Sequence, residues 1–160
     1  MIEKSGVSGV YTQAGNYPFE ELYSMIVTLS EIVNTPISDL IEAFGKTIFK
    51  KLITIYPKPI EIYKNVFEFI AHLDNVVHPE VKKLYPETEL PIFDLETIDK
   101  TKLVIIYRST KPLMDLAKGL ILGCAEYYGE DIEVSYELLP KEDKEFRAKF
   151  TIVKKRDLSV

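Results

Sequence analysis

The hydrophobic pattern of this chain changes period halfway along, and that change limits the folds it can adopt. In the first half, apolar residues recur every three or four positions, the spacing of one face of a helix. In the second half, some short stretches are rich in β-branched and aromatic residues and others alternate apolar with polar, and both patterns are typical of strands. Helices first and strands afterwards predict an α+β fold, in which an N-terminal helical subdomain precedes a small antiparallel sheet.

Three helices are predicted in the first half. The first has Pro18 in its first turn and ends at Asn34. Thr35 can cap the second, which has Pro36 in its first turn. The third follows a break at 56–59. Apolar residues recur at helical spacing in the first helix (Phe19, Leu22, Ile26, Leu29, Val33) and are expected to face inward in the second (Leu40, Ile41, Phe44, Ile48, Leu52) and third (Ile62, Val66, Phe69, Ile70, Leu73, Val77).

The second half predicts strands with one helix between them. The turn at 140–144 should join the last two strands as an antiparallel hairpin, and the helix at 113–128 should end at Gly129 as a left-handed C-cap and pack on the sheet. The predicted strands are 102–108, 133–138, 146–152 and an edge strand at 92–95. With 160 residues, 46% of them hydrophobic, and no linker or repeat, we expect one domain spanning 1–160.

Charge and cysteine content exclude several partners and locations. The net charge of −5 argues against binding to nucleic acid or an anionic membrane, since both reward positive charge. The basic stretch 141–156 is diluted by acidic residues, which favours a solvated hairpin. No apolar run approaches the roughly 18–20 residues of a membrane span. The lone Cys124 cannot form an internal disulfide, and no charged-then-apolar leader opens the chain, so a cytoplasmic location is expected.

Enzyme motifs are missing from the sequence. It contains no Gly-rich phosphate loop, no Cys/His cluster with zinc spacing and no nucleophile elbow. Cys124 lies in an apolar helical stretch, which favours a buried, inert thiol over a nucleophile. The chain is therefore not expected to be an enzyme.

His78 is the first candidate site residue. It borders the apolar face of the third predicted helix, and a neutral imidazole offered from an apolar wall is a good axial ligand for haem iron. The alternative is a half-buried histidine bonded to Asp74 or to a backbone carbonyl, the only interpretation that suits His72 beside Glu68. Because Pro79 follows, we expect a break or restart of the helix at His78, where helical geometry is disfavoured.

A second candidate set stands at the exit of the 102–108 strand. Tyr107, Ser109 and Lys111 alternate, so their side chains point the same way. Two hydroxyls and an ammonium group can converge on a pair of carboxylates, such as the propionates of a porphyrin. Taken alone, these residue types at a strand end are ordinary.

The two segments together resemble the haem nitric oxide/oxygen binding (H-NOX) family. Residues 78–86, His-Pro-Glu-Val-Lys-Lys-Leu-Tyr-Pro, match the family form His-x-x-Val-x-x-x-Tyr-Pro. Residues 107–111 are similar to the family signature Tyr-x-Ser-x-Arg, with lysine in place of arginine. The segments 41–45 and 119–123 also look like family sequence, and the resemblance runs from about Ile2 to the C-terminus.

The resemblance implies a haem-based gas sensor that carries haem b (iron protoporphyrin IX). His78 would be the proximal iron ligand, Tyr107, Ser109 and Lys111 would bind the propionates, and Pro91 would press on the haem. Oxygen-holding relatives place a tyrosine where this chain has Leu116, which implies binding of nitric oxide, and of carbon monoxide, without detectable oxygen binding. A separate effector, such as a histidine kinase or a cyclic-di-nucleotide enzyme, would receive the signal.

The other interpretation is a haem-free binding or interaction module with the same fold. Lys111 in place of arginine favours it, because the charge is kept and the two-pronged donor is lost. Pro79 favours it as well. Similar domains also begin with a further N-terminal helix over the distal haem face, and the resemblance implies that this chain starts after it.

Overall fold

The computed structural model describes residues 19–84, 86–87 and 89–155, and the predicted first-turn Pro18 lies outside them. Helices come first and strands follow, so the predicted α+β fold is confirmed. The α-helices are α1 (Phe19–Val33), α2 (Ile37–Ile55), α3 (Lys58–Glu61), α4 (Val66–Ala71), α5 (His78–Leu84) and α6 (Met114–Tyr128), with a π-helix (Leu73–Val77) directly before α5. The strands are β1 (Ile92–Ile98), β2 (Lys102–Ser109), β3 (Ile132–Glu142) and β4 (Glu145–Lys154).

The four strands form one antiparallel sheet in the order β1-β2-β4-β3, so β1 and β3 are its edges. Tyr107 on β2 lies opposite Phe93 on β1 and Ala148 on β4. The predicted hairpin between β3 and β4 is present, but its strands run longer than predicted and include Pro140. An edge strand tolerates proline because the missing N–H would face away from the sheet.

The core lies between the inner face of the sheet and the helices packed against it. Tyr107, Phe150 and Leu103 are among its largest fully buried side chains. Helix α6 ends where predicted, at Gly129 with φ of +66°, a conformation that suits glycine. Within the described ranges, no helix is both long and apolar enough to cross a bilayer.

Helices α2 and α6 cross at unusually short range because glycines form the contact. A Cβ atom on Gly119 would lie 2.1 Å from the carbonyl oxygen of Glu42, and one on Gly45 would lie 2.6 Å from that of Leu116. The predicted inward stripe of α2 was wrong for Phe44, which is exposed. The stripe followed the large side chains, whereas the helix turns Gly45 and Phe49 toward its neighbour.

Two further predictions about the helices need correction. Thr35 does not cap α2: the N-cap residue is Pro36, and the Thr35 hydroxyl donates to the carbonyl of Val33 instead. The third predicted helix is broken into α3, α4, the π-helix and α5. Val66, Phe69 and Ile70 are buried as predicted, but Ile62 lies between α3 and α4 and is exposed.

Candidate functional site

A cavity of about 750 Å³ lies between the helices and the sheet. Side chains from α2, α4, the π-helix, α5 and α6 line it, and the lining is mostly apolar. Its volume falls in the range of about 300–1,000 Å³ that is usual for small-molecule and cofactor sites. Leu52, predicted to face a packed core, faces this cavity and is partly exposed as a result. The structure brings all the predicted site residues to the cavity wall: His78, Pro91, Tyr107, Ser109, Lys111 and Leu116.

The imidazole of His78 is held in the wall by Asp74. Its Nδ1 lies 2.9 Å from Oδ1 of Asp74, and only 17% of the His78 side chain is exposed. Burial lowers the pKa of His78 below its usual value, and the charge and hydrogen bond of Asp74 partly oppose that shift. A neutral imidazole with Nδ1 engaged keeps Nε2 for a ligand. The hydrogen bond to Asp74 and the role of iron ligand are thus compatible.

The hydrogen-bond pattern of the helix changes immediately before His78. The backbone N–H of His78 bonds to the carbonyl of Leu73, five residues back, which closes the π-helix. Helix α5 then begins, so the predicted restart at His78 is confirmed. The expectation that Pro79 disfavours helical geometry at His78 was wrong, because His78 has φ of −61° and ψ of −40°. Pro79 lies in the first turn of α5, where the missing N–H of a proline costs no hydrogen bond within the helix.

Asp74 also reaches the sheet. Its Oδ2 accepts the backbone N–H of Phe93 at 2.8 Å, so one carboxylate joins the π-helix, His78 and β1. The ring of Phe93 lies between those of His78 and Tyr107, with centroid distances of 6.1 and 5.7 Å. Sequence reasoning named Asp74 only as an alternative partner of His78 and missed Phe93. The alternation of β1, once paired with β2, was the signal that could have found Phe93.

Tyr107 and Ser109, at the end of β2, bond to the turn that carries Lys111 at one end of the cavity. The Tyr107 hydroxyl donates to the carbonyl of Lys111 at 2.7 Å and accepts the N–H of Leu113 at 3.3 Å. The N–H of Lys111 donates to Oγ of Ser109 at 3.2 Å. Burial raises the pKa of Tyr107 above its usual value. The Tyr107 hydroxyl therefore shapes the turn that presents Lys111.

One acidic residue approaches the same end of the cavity. Glu89 lines it, and the Thr110 hydroxyl donates to Oε2 of Glu89 at 2.9 Å.

Cys124 lies deep in the wall, where burial raises the pKa of its thiol, in agreement with the expected inert cysteine. Among the described residues, no group of three or more His, Cys, Asp or Glu side chains is placed to hold a metal ion.

Comparison with known proteins identifies the fold and the family. The sequence profile of the haem-NO-binding (HNOB) family matches residues 1–136. The chain belongs to this family. The Fe(II) unliganded H-NOX protein from K. algicida is 30% identical, with a TM-score of 0.89 over 99% of this chain and 86% of that one. The Fe(II)NO form of an H-NOX protein from S. oneidensis is 25% identical, with a TM-score of 0.84 over 97% and 86%.

A third H-NOX structure gives the same result. The H-NOX protein from Shewanella woodyi, solved in solution in the Fe(II)CO state with IWP-051 bound, is 32% identical, with a TM-score of 0.77 over 99% of this chain and 86% of that one. The H-NOX fold thus covers nearly the whole chain. Tyr85, part of the motif that suggested the family, lies outside the described residues, as does the expected start after the first family helix.

Proposed function

We propose that this H-NOX domain is a haem-based nitric oxide sensor with His78 as its iron ligand. The observation that carries the proposal is the imidazole of His78, held at Nδ1 by Asp74 in the wall of a mostly apolar cavity. Apolar walls, one imidazole and a polar end suit a flat macrocycle that carries two carboxylates. Haem b, when bound, supplies a ferrous iron that takes nitric oxide or carbon monoxide, as the H-NOX proteins from S. oneidensis do.

The residues of the chain divide the work between the two ends of the cavity. His78 would offer Nε2 to the iron, and Ser109 and Lys111 would face the propionates, while the Tyr107 hydroxyl holds the turn that carries Lys111. Pro91 lines the cavity from the segment that leads into β1 and would pack against the ring. If nitric oxide binding released His78 from the iron, the π-helix and α5 would be free to move. That movement would be the signal passed to a separate effector, such as a histidine kinase or a cyclic-di-nucleotide enzyme.

Replacing His78 with glycine tests the iron ligand. His78→Gly should fold, lose the five-coordinate ferrous spectrum and regain it when imidazole is added. His72→Gly is the matched control, because His72 bonds through Nδ1 to the Glu68 carbonyl and stacks on Tyr63. An unchanged spectrum in His78→Gly would refute the assignment.

Substitution of Lys111 tests the polar end of the cavity. A partly exposed charge-assisted contact is worth about 1 kcal/mol, so Lys111→Ala should speed haem loss by roughly fivefold to tenfold. Lys111→Arg should slow it, because a guanidinium can bind a carboxylate with two hydrogen bonds. Equal rates of haem transfer to a scavenger protein from all three forms would exclude Lys111 from propionate binding.

Leu116 predicts the choice of gas. Bound oxygen is polar and gains from a hydrogen-bond donor, whereas nitric oxide and carbon monoxide need one far less. Because Leu116 lines the cavity with an apolar side chain, the reduced protein should bind nitric oxide and form no stable oxy spectrum in air. Leu116→Tyr should create one. A stable oxy spectrum in the unmutated protein would contradict the role given to Leu116.

A haem-free binding module is the second candidate. It is favoured by the hydrogen bonds inside the 107–113 turn, which occupy the Tyr107 hydroxyl without a ligand. Addition of haemin to the purified protein distinguishes the two. The sensor should develop a Soret band that depends on His78, and the module should develop none.

A further inference from the structure

Asp74 joins the imidazole of His78 to the sheet, because each of its two carboxylate oxygens makes a hydrogen bond. Its two carboxylate oxygens take different partners: Oδ1 lies 2.9 Å from Nδ1 of His78, and Oδ2 accepts the N–H of Phe93 at 2.8 Å. The partners lie on different elements, α5 and β1. Both distances are those of short, charge-assisted hydrogen bonds. A displacement of the imidazole would therefore disturb the hydrogen bond to β1.

The position of β1 gives this link its importance. Because β1 is an edge strand, its outward N–H groups have no neighbouring strand to bond. Asp74 supplies an acceptor for one of them at Phe93, the residue whose ring also contacts His78 and Tyr107. The edge of the sheet is thus held at Phe93, whose ring lies 6.1 Å from that of the proposed iron ligand.

We propose that Asp74 is a positioning residue that selects the ligating nitrogen of His78 and couples the imidazole to strand β1. This rests on the proposed function. A neutral imidazole has one N–H, and a carboxylate at Nδ1 draws that proton there, which aims the lone pair of Nε2 at the cavity. A charged acceptor on the far nitrogen also makes an imidazole a stronger metal ligand.

The coupling follows from the sharing of one carboxylate. When His78 stays in place, Asp74 is held between the π-helix and β1 and keeps the N–H of Phe93 bonded. When His78 is released, Asp74 either follows the imidazole and leaves β1, or stays on β1 and leaves the imidazole. Both states change the edge of the sheet or the tautomer of His78, and each can be measured by itself.

The haem-free protein provides the first test. In ¹⁵N-histidine spectra, His78 of the unmutated protein should be mainly the Nδ1–H tautomer, and Asp74→Ala should give a mixture with Nε2–H. Amide exchange at Phe93 should become about tenfold faster in Asp74→Ala, because its acceptor is gone. Asp74→Asn has one acceptor oxygen in place of two. It should therefore keep either the Nδ1–H tautomer of His78 or the slow amide exchange of Phe93, and lose the other.

Asp94→Ala is the matched control. It removes a carboxylate from β1 that pairs with Arg108, 2.6 Å away, and makes no contact with His78. It should leave both the His78 tautomer and the Phe93 exchange rate unchanged. Unchanged readouts in Asp74→Ala, or equal changes in Asp94→Ala, would overturn the proposal.

The ferrous haem protein provides the second test. Resonance Raman spectra of Asp74→Ala should show a lower iron–histidine stretching frequency than the unmutated protein, and Asp94→Ala should not. An unaltered frequency with altered haem-free readouts would overturn the positioning role toward the metal. If the unmutated protein shows no iron–histidine band at all, the sensor function fails, whereas the haem-free readouts still decide the link between Asp74 and β1.

Discussion

The helical stretch before β1 has two halves that are built differently. The first half, α4, has four buried residues out of six, Val66, Phe67, Phe69 and Ile70. The second half, the π-helix followed by α5, begins with five residues of which none is fully buried. His78 stands at the start of α5, in the half that the core does not enclose.

The two halves also differ in how they are tied to the rest of the molecule. The N-terminus of α4 is capped twice: the side chain of Asn65 accepts the N–H of Glu68, and Oε1 of Glu130 accepts the N–H of Val66. Glu130 in turn lies 3.8 Å from Lys154, whose ammonium group lies over the ring of Phe67. The second half has the Asp74 bond to β1 in place of such a network.

The difference gives the two halves different roles: α4 is fixed to the core, whereas the π-helix and α5 can move. Buried apolar residues and satisfied helix ends give α4 the stability of the core. A half-buried segment loses fewer buried contacts when it opens, so its opening costs less free energy. A histidine that is to bind iron and then be released needs a fixed segment before it, which sets its direction, and a mobile segment around it, which can move on release.

The largest expected effect concerns the core residues of α4. Phe67→Ala should lower the free energy of unfolding by about 3–5 kcal/mol, the usual cost of removing a buried phenylalanine ring. Val77→Ala, in the half-buried π-helix, should cost about 1 kcal/mol or less. Urea unfolding of both variants in the same haem state measures the difference. Equal costs would show that the two halves belong to one core.

The next largest effect concerns the cap from Glu130. Glu130→Ala leaves the buried N–H of Val66 without its acceptor and should cost about 2 kcal/mol. The control is Glu126→Ala, which breaks an exposed 3.4 Å pair with Lys50 and should cost less than about 0.5 kcal/mol. If thermal unfolding finds both variants equally stable, the anchor of α4 lies elsewhere.

Hydrogen exchange compares the halves without mutation. The amide of Ile70 in α4 should exchange at least about tenfold more slowly than that of Val77, because its opening requires loss of buried contacts. Native-state exchange followed by NMR measures both amides in one sample. Similar rates would mean that the π-helix opens only together with α4.

The smallest effect appears at alkaline pH, on the sheet and α6 that support α4. Burial, with the hydrogen bond to and charge of Asp115, raises the pKa of Tyr136 to about 12. In the unfolded chain the pKa of a tyrosine is about 10. The contribution of this proton to stability is complete below about pH 10 and is lost as the pH rises through about 12. Between pH 9 and 11.5, Tyr136→Phe should therefore lose less stability than the unmutated protein.

Tyr127→Phe is the control for that titration. Tyr127 is on α6 and 46% exposed, so Tyr127→Phe removes a tyrosine hydroxyl from the surface for comparison with the partly buried one of Tyr136. A Tyr136→Phe variant as sensitive as the unmutated protein would assign the alkaline loss to other groups.

The order of helices and strands was predictable because it follows from the local periodicity of apolar residues. The β-branched and aromatic run in 102–108 and the alternation in 146–152 indicate strands, and Gly129 marks the end of α6. Several residues that line the cavity, among them His78 and Tyr107, were likewise predicted from short motifs. The strand ends and helix faces that bring His78 and Tyr107 to one wall are fixed by these local patterns.

What could not be predicted depends on contacts between distant segments. The α2–α6 crossing uses glycines, which carry no hydrophobic signal, so Phe44 was placed inward in error. The bond between Asp74 and Phe93 spans 19 residues and depends on the placement of β1 relative to the π-helix. The internal bonds of the Tyr107 hydroxyl depend on how the turn after β2 closes, which spacing does not specify.

The π-helix has one more consequence, for changes in chain length. In an α-helix each residue turns the chain by about 100° and advances it by about 1.5 Å, so deleting one residue swings every later side chain onto another face. Between Leu73 and His78 the hydrogen bond already spans five residues instead of four. A one-residue deletion there restores an α-turn and leaves α5 facing as before, while Asp74 comes to stand three positions ahead of His78 instead of four. A one-residue deletion beside the imidazole would therefore preserve its direction and change only its carboxylate partner.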